Sequence, residues 1–398
     1  MFSFFKRSNH KGQELLQQLS IGAETDAGVP VNSLTAQSLP AVHCAVAVLS
    51  EAIASLPIHI YQKQNDERMR VSGHHIERLL NQSPNNSGMT AYDFKLALMR
   101  SMLLRGNGFA RVLYDGAGKA NQLIPLHPDA VIMKRLNDGR VGYQISLLNG
   151  KFENVLQEEM LHIKYHSDDG IEGKSPIQIN REAVGLGLAQ QMHGSKLFRN
   201  GARIAGALTT DDYFKDENRA VQILHAWNNT YSGASNAGKT ALLENGLKFQ
   251  PIGLNNIDAE WLESRKFGIQ DVARMFKISP IFLMDYSNST YSNFSEAQRA
   301  FLSQTLRPLL TNIQQALMNT LLTQRSKSQM VIEFETKDLL RATADERFAA
   351  YDTAIRNGIM NPNECRKAEN MPPRDGGDEY SQSWIQKGQT IDDGSRVV

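Results

Sequence analysis

Apolar residues recur at helical spacing in some stretches of the chain and alternate in others. Val42, Ala45, Val46, Leu49, Ile53 and Leu56 fall on one face of a helix predicted to open at Pro40 and stop at Pro57. Pro57–Tyr61 then alternates like a strand. A second helix is predicted from Ala91 to Leu104, ended by Gly106, Asn107 and Gly108. Short alternating runs follow at Phe109–Tyr114, Gln122–Leu126, Ala130–Lys134, Tyr143–Leu147 and Met160–Tyr165. Turn pairs such as Asp115-Gly116 and Asp138-Gly139 separate them. The first part of the chain therefore reads as mixed α and β.

After Ser175 the pattern lengthens. A helix is predicted from Ser175 to about Phe198, with Ile177, Val184, Leu188 and Met192 on one stripe and Asn200-Gly201 at its end. A small α/β unit follows: a strand near Ala205–Thr209, a helix over Asp216–Tyr231, and strands at Ala241–Leu243 and Leu247–Ile252 joined at Asn245-Gly246. A second long helix, Asp258–Phe276, carries Leu262, Ile269, Val272 and Phe276 on one face. A loop rich in Ser, Asn and Thr, Tyr286–Asn293, leads to a third, Ser295–Leu322. Pro308 inside it removes a hydrogen bond and predicts a kink.

The strand Met330–Glu335 returns the chain, and a helix over Thr343–Asn357 is closed by Gly358. Asn361, Pro362 and Glu364 supply an N-cap, a first-turn proline and a third-position acid for one more helix. Ser8–Leu39 is polar and reads as a loosely ordered arm with a short helix at Glu14–Leu19. From Pro372 onward Gly, Asp and Ser predict a tail.

Composition narrows what such a chain can do. Its 398 residues allow two or three domains, and 41% hydrophobic with 21% charged residues is the make-up of a folded protein. Lys+Arg number 43 against 42 Asp+Glu, a net charge of +1. A protein that wraps or reads DNA carries a basic excess, so any contact with DNA is expected to be loose and of mixed charge. Cys44 and Cys365 form no disulfide framework and suit a reducing compartment. The opening MFSFFKR is too short for a signal-peptide core. Ala41–Leu56, broken by His43, Ser50 and Glu51, falls short of the roughly 20 residues of a membrane span. The expectation is a soluble protein made in a cytoplasm.

Gly233–Thr240 (GASNAGKT) fits the phosphate-cradling pattern GxxxxGK[ST]. A working loop of this kind follows a buried strand and opens a helix, whose N-terminus holds the phosphates. Here the preceding residues read as helix and the following ones as a hairpin, so the better reading is a Gly/Ser/Asn loop with an exposed lysine. His162 and His166 are four apart, with Asp168-Asp169 after them. In an extended segment they lack a third ligand, and no metal is expected. Asp211-Asp212 and Asp392-Asp393 read as a turn and a solvated tail. No nucleophile elbow or activated cysteine is present, so neither catalysis nor a cofactor is expected.

Several stretches together resemble the portal proteins of tailed phages, of the compact siphovirus type. They are Gly173–Ile177 (GKSPI), Phe198–Gly201 (FRNG), Gly206–Leu208 (GAL), Trp227 with Tyr231–Gly233 (YSG), Gly238-Lys239, Leu242–Glu244 (LLE), Ile278–Leu283 (ISPIFL), Thr290–Asn293 (TYSN), Gly358–Glu364 (GIMNPNE) and Met371–Pro373 (MPP). The resemblance spans Pro40 to Asp378 and rests on order and spacing. It implies an α+β portal fold. The expected parts are a flexible arm (1–39), a mixed α/β wing (40–172), a first stem helix (173–204), a small α/β clip (205–254) and a second stem helix (255–284). A tunnel loop (285–294), a kinked wing helix with its strand (295–338), a helical crown (339–378) and a flexible tail (379–398) complete it.

The resemblance further implies a non-enzymatic homo-oligomeric ring, a dodecamer in the virion, at one capsid vertex. Double-stranded DNA passes through it non-specifically during packaging and ejection, and assembly takes place in the host cytoplasm. Its expected partners are the large terminase subunit, head–tail adaptor proteins, the major capsid protein and, as a further candidate, a scaffold protein. No membrane is involved. Asp285, Tyr286, Ser287, Asn288, Ser289, Thr290, Tyr291, Ser292 and Asn293 are the expected channel loop. Asp212, Tyr213, Lys215, Glu217 and Arg219 are the expected docking surface of the clip. Small hydroxyl and amide side chains can donate to phosphates without reading bases. A sliding strand tolerates few cations, because each neutralised phosphate adds affinity. The competing readings are a nucleotide hydrolase or packaging motor using Gly233–Thr240, a capsid or tail component without a channel, and, for the loop alone, a solvated helix connector.

Overall fold

The computed structural model describes residues 23–64, 67–147, 149–199, 206–210, 217–231, 243, 246–251, 268–287, 291–336 and 344–381. The chain divides into two compact units, Met1–Glu335 and Thr336–Val398.

The first unit starts earlier than the polar composition suggested. Strands β1 (Ala23–Glu24) and β2 (Pro30–Val31) form an antiparallel ribbon, and Asn32 and Thr35 make a capping box for the helix Ser33–Ala36. The ribbon lies on the Arg181–Arg199 helix, where the backbone N–H of Asp26 donates to Glu182 at 3.0 Å. Gly185 makes the approach possible: a Cβ there would sit 2.5 Å from the Thr25 hydroxyl oxygen. The expected loose arm is thus structured from Ala23 to Leu39, while the Glu14–Leu19 helix lies outside the described residues.

The Pro40–Ser55 helix forms where the apolar stripe placed it, and buries Val42, Ala45, Val46, Leu49 and Ile53. It packs on the Ala91–Arg105 helix, which buries Phe94, Leu98, Met99, Met102 and Leu103. Each large side chain so buried contributes about 1.5–3 kcal/mol. Lys95 is buried among them. Its ammonium donates to the Leu56 carbonyl at 2.6 Å, at the end of the first helix, and burial pulls its pKa down to about 8.

The first unit also holds three antiparallel sheets of three strands each. β3 (Ile58–Gln64) lies between β4 (Glu67–Arg70) and β13 (Met330–Phe334). β5 (Asn107–Tyr114) lies between β6 (Ala120–Leu126) and β10 (Met160–Lys164). β8 (Val141–Ser146) lies between β7 (Val131–Arg135) and β9 (Phe152–Val155). Phe109, Val131, Tyr143, Ile145, Val155 and Met160 form the core shared by the last two sheets.

The long helices depart from expectation at their breaks. The first divides at Asn180 into Pro176–Ile179 and Arg181–Arg199; the Asn180 side chain donates to the Pro176 carbonyl at 2.9 Å. Of the second, residues 268–276 are described and helical. The third begins at Tyr291, not Ser295, so Tyr291, Ser292 and Asn293 are helical rather than loop. It runs as Tyr291–Ala300, a wider π-helical stretch Phe301–Leu306, and Arg307–Leu321. Pro308 has no N–H to offer the carbonyl four residues back, and the wide turn before it accommodates its ring. Between the first two long helices, β11 (Gly206–Thr209) pairs with β12 (Lys248–Pro251), Leu208 opposite Phe249. The helix Glu217–Tyr231 lies between them in sequence. The described partner of β12 is therefore β11. Of the expected Ala241–Leu243 strand, Leu243 alone is described, and it is not in a strand; Gly246 has the turn conformation, φ +70°. No helix among the described residues is long and apolar enough to cross a membrane.

In the second unit the helix Ala344–Arg356 ends at Gly358 (φ +66°), and Asn361 and Glu364 cap Pro362–Ala368 reciprocally. Arg347 grips the Glu369 carboxylate at 2.8 and 3.0 Å, and the Tyr351 hydroxyl donates to it at 3.0 Å. The expected tail is pinned as far as Tyr380, whose hydroxyl donates to Glu364 at 2.9 Å. Asn363 donates to the Arg374 carbonyl and to Asp378, and accepts from the Arg374 N–H at 2.9 Å.

Candidate nucleic-acid interface

A buried latch sets where the first long helical stretch, from Pro176, begins. Gly106 (φ +82°) ends the Ala91–Arg105 helix, and Gly173 approaches it so closely that a Cβ on Gly173 would lie 2.0 Å from the Gly106 carbonyl. The Asn107 side chain closes the gap, donating to the Gly173 carbonyl at 3.0 Å and accepting from its N–H at 2.8 Å. Two residues on, the fully buried Ser175 donates to the Leu104 carbonyl at 2.8 Å and caps Ile177 N–H, which opens Pro176–Ile179.

His162 belongs to this latch and not to a metal site. Its Nε2 lies 2.9 Å from Asn107 Oδ1, and its Nδ1 lies 3.1 Å from the Tyr143 hydroxyl. Since Oδ1 only accepts, Nε2 carries the hydrogen and Nδ1 accepts from Tyr143. Burial, with Lys164 nearby, pushes the imidazole down to about 3, so it stays neutral; burial raises the Tyr143 phenol to about 12. His166 sits apart, its backbone bridged to Lys174. Asp168 pairs with Lys174, and Asp169 accepts from the backbone of Ile171 and Glu172, which makes a turn. Among the described residues no group of three His, Cys, Asp or Glu is placed to hold a metal ion.

The polar loop is carried on two successive chain reversals. Helix 268–276 ends in a Schellman motif: Ile278 N–H donates to Ala273 O at 2.9 Å and Lys277 N–H to Arg274 O at 3.2 Å. Lys277 takes the left-handed conformation (φ +56°) usually left to glycine. Pro280–Leu283 then makes a single 3-10 turn, and Met284 (φ +63°) reverses the chain again. Two non-glycine residues held this way cost on the order of 1 kcal/mol or more each, so the surroundings must enforce the geometry. They do so by packing. Phe282 lies against Phe301 with centroids 4.5 Å apart, Leu283 is buried, Cys44 donates to the Phe282 carbonyl at 3.4 Å, and Thr305 donates to the Lys277 carbonyl.

Beyond this base the described residues become exposed. Met284 is 65% exposed and Tyr286 59%. Asp285 Oδ1 accepts from the Ser287 N–H at 3.1 Å and from its hydroxyl, a local turn. Of the nine expected loop residues the structure therefore places Asp285, Tyr286 and Ser287 together at an exposed tip. Asn288, Ser289 and Thr290 lie outside the described residues, and Tyr291, Ser292 and Asn293 form the first turn of the next helix. Met284 was missed by the sequence reading, because nothing in a methionine announces a positive φ. Of these groups the exposed Tyr286 phenol can donate to a phosphate, while the Asp285 carboxylate beside it repels one, so the three together cannot hold a phosphate backbone.

The expected docking surface is only partly described. Asp212, Tyr213 and Lys215 lie outside the described residues. Glu217 opens the Glu217–Tyr231 helix, and Arg219 is exposed on it. Trp227 stacks on Phe249 of β12 at 5.5 Å and ties the helix to its sheet, while Val221 and Leu224 face solvent. Gly233–Thr240 also lies outside the described residues. The helix Glu217–Tyr231 comes directly before it, whereas a phosphate-binding loop follows a strand.

Residues 40–370 match the family described as phage portal protein. The probable portal protein of Streptomyces phage phiC31 is 29% identical over 375 residues, covering 89% of this chain and 79% of that one. The portal protein of Enterobacteria phage HK97 is 28% identical over 337 residues, covering 84% and 78%. A chain in the neck of a native gene transfer agent particle, computed with C12 symmetry, superposes with a TM-score of 0.59. It is 25% identical and covers 84% of this chain and 91% of that one.

Proposed function

The chain belongs to the phage portal protein family, and we propose that it forms a twelve-membered ring at one capsid vertex through which double-stranded DNA is packaged and ejected. The observation that carries the reading is the exposed tip Asp285–Ser287, held out on a base whose two reversals are locked into the protein interior. A tip on a rigid base can narrow a channel without gripping what passes. The near balance of 43 basic and 42 acidic residues fits a strand that slides.

On this reading residues 40–172 with residues 295–338 are the wing, and the helices on either side of residues 205–254 are the stem. The inserted α/β unit is the clip, where Asp212, Tyr213, Lys215, Glu217 and Arg219 meet the terminase and later the head–tail adaptors. The residues from 339 are the crown, and the ring functions without catalysis. The major capsid protein surrounds it, and assembly takes place in the host cytoplasm.

The test is imaging combined with packaging. Purified protein is expected to give annular particles with a central hole in negative stain. Deletion of Ser287–Asn293 is expected to leave the rings and abolish DNA retention. Protein that stays monomeric or dimeric under all conditions overturns the ring, and unimpaired packaging by the deletion overturns the loop's role.

A further inference from the structure

A polar cavity of about 670 Å³ lies where the end of the Pro40–Ser55 helix, β3, β4, the His75–Asn81 helix and the Ala91–Arg105 helix meet. Arg70, Arg78 and Lys95 bring three cations to its lining against one carboxylate, that of Glu77. Glu77 is already engaged: its Oε1 accepts from Arg70 Nη2 and from His59 Nδ1, both at 2.9 Å. Lys95 is only 8% exposed, and a lysine so buried is ordinarily paired with an anion. Here its one bond is to the neutral Leu56 carbonyl, and no acid among the described residues pairs with it. Burial lowers its pKa to about 8, and no neighbouring charge offsets that. Two of its three N–H donors are left over. Arg78 is exposed, and its guanidinium makes no hydrogen bond or ion pair among the described residues. His74 accepts from the Ile76 N–H at 3.3 Å through Nδ1, and burial lowers its pKa. The neutral ring therefore carries its hydrogen on Nε2, one more donor on the lining.

We propose that this cavity binds a small dianionic oxyanion, a phosphate or a phosphate monoester, between the buried Lys95 and the exposed Arg78. The inference does not depend on the ring reading. Charge selects the ligand class. Once Glu77 is matched by Arg70, two positive charges remain on the lining, and a dianion balances both. A phosphodiester of a nucleic-acid backbone carries one charge and leaves a buried cation unpaired, which is costly. The donors suit the same ligand, since an ammonium, a guanidinium and an imidazole N–H give charge-assisted or directed bonds to phosphate oxygens. A phosphate group fills only part of about 670 Å³, a volume of ligand-holding size. The remaining space runs to Tyr92, 41% exposed on the lining, which offers a ring to an organic portion. Glu77 acts as a positioning residue, because it holds Arg70 and His59 in place from one oxygen.

Isothermal titration of the full chain, at about pH 7.5 and fixed ionic strength, tests this with three probes: glycerol phosphate, inorganic phosphate and dimethyl phosphate. A phosphate monoester is a dianion at that pH, whereas dimethyl phosphate has one charge. Glycerol phosphate is expected to bind roughly tenfold or more tightly than dimethyl phosphate, because only the dianion engages both free cations. Arg78→Gln, at an exposed position, is expected to weaken glycerol phosphate binding roughly tenfold, through loss of a charge-assisted bond. Arg325→Gln, exposed and off the cavity, is the control and should bind as the wild type does. Inorganic phosphate bound as tightly as the ester assigns the free ion as ligand, and weaker binding assigns a monoester. No binding by the wild type, dimethyl phosphate bound equally well, or wild-type affinity in Arg78→Gln overturns the proposal. Lys95→Met is expected to abolish binding. Should that variant misfold, hydrogen exchange of wild-type residues 72–82 decides in its place. Slower exchange with glycerol phosphate present is expected, and equal exchange overturns the assignment.

Discussion

The latch around Asn107 and the tip around Asp285 are built from the same kind of chemistry and behave in opposite ways. In both, a small polar side chain accepts from nearby backbone N–H groups. At the latch the partners are far apart in sequence and the groups are buried: Asn107 bonds to Gly173 and to His162, and Ser175 to Leu104. Water cannot replace a lost partner there, so each bond carries the full cost of leaving a buried group unmade. At the tip the partners are two residues apart and exposed, and water exchanges with them at little cost. Residue type does not separate a polar group that holds the fold from one that does not. The sequence distance and burial of its partners do.

Three measurements would break or sharpen this contrast. Asn107→Ala strands the Gly173 N–H and C=O and one nitrogen of His162, and is expected to cost about 2–4 kcal/mol in urea unfolding. A cost below about 1 kcal/mol would mean that glycine packing alone holds the latch. The second effect is smaller at mild pH. The unfolded imidazole titrates near 6.5 and the folded one near 3. Between those values the unfolded chain binds the extra proton. The contribution of His162 is therefore complete above about pH 6.5 and is lost by up to ~1.4 kcal/mol per pH unit as the pH falls toward 3. Stability measured from pH 7 to pH 5 should drop more steeply in the wild type than in His162→Asn; parallel slopes would place the titration elsewhere. The smallest effect is expected at the tip. Ser287→Ala should change unfolding free energy by less than about 0.5 kcal/mol, and a larger loss would show that the tip supports the fold.

Much of the fold was legible where an element is amphipathic or capped on its own. The Pro40–Ser55 stripe, the Gly106 stop and the Asn361–Glu364 capping box all appear as read. What escaped lacked a local signal. β4 is Glu-Arg-Met-Arg and becomes a strand because β3 offers it an edge. The His75–Asn81 helix spans seven residues, too few to show a period. The break at Asn180 depends on a side chain taking its own helix's carbonyl. The polar stretch Ala23–Leu39 is ordered by a glycine more than 150 residues away. Of the candidate site, the polar tip was visible in composition, but its base was not. Lys277 and Met284 adopt left-handed conformations that neither residue type favours, and they do so because Phe282, Leu283 and Thr305 hold the chain there.

The amino-acid order by itself determined the helices and strands with a clear apolar period, the α+β class, the near balance of 43 basic and 42 acidic residues, and the family. Only the tertiary structure decided the latch, the neutral state of His162, the reversals beneath Asp285 and the cation-lined cavity beside Lys95. The physical reason is one of range. Period and caps act over a few residues. Desolvation, backbone approach at Gly106 and Gly173, and the burial that enforces a positive φ arise only when distant segments meet.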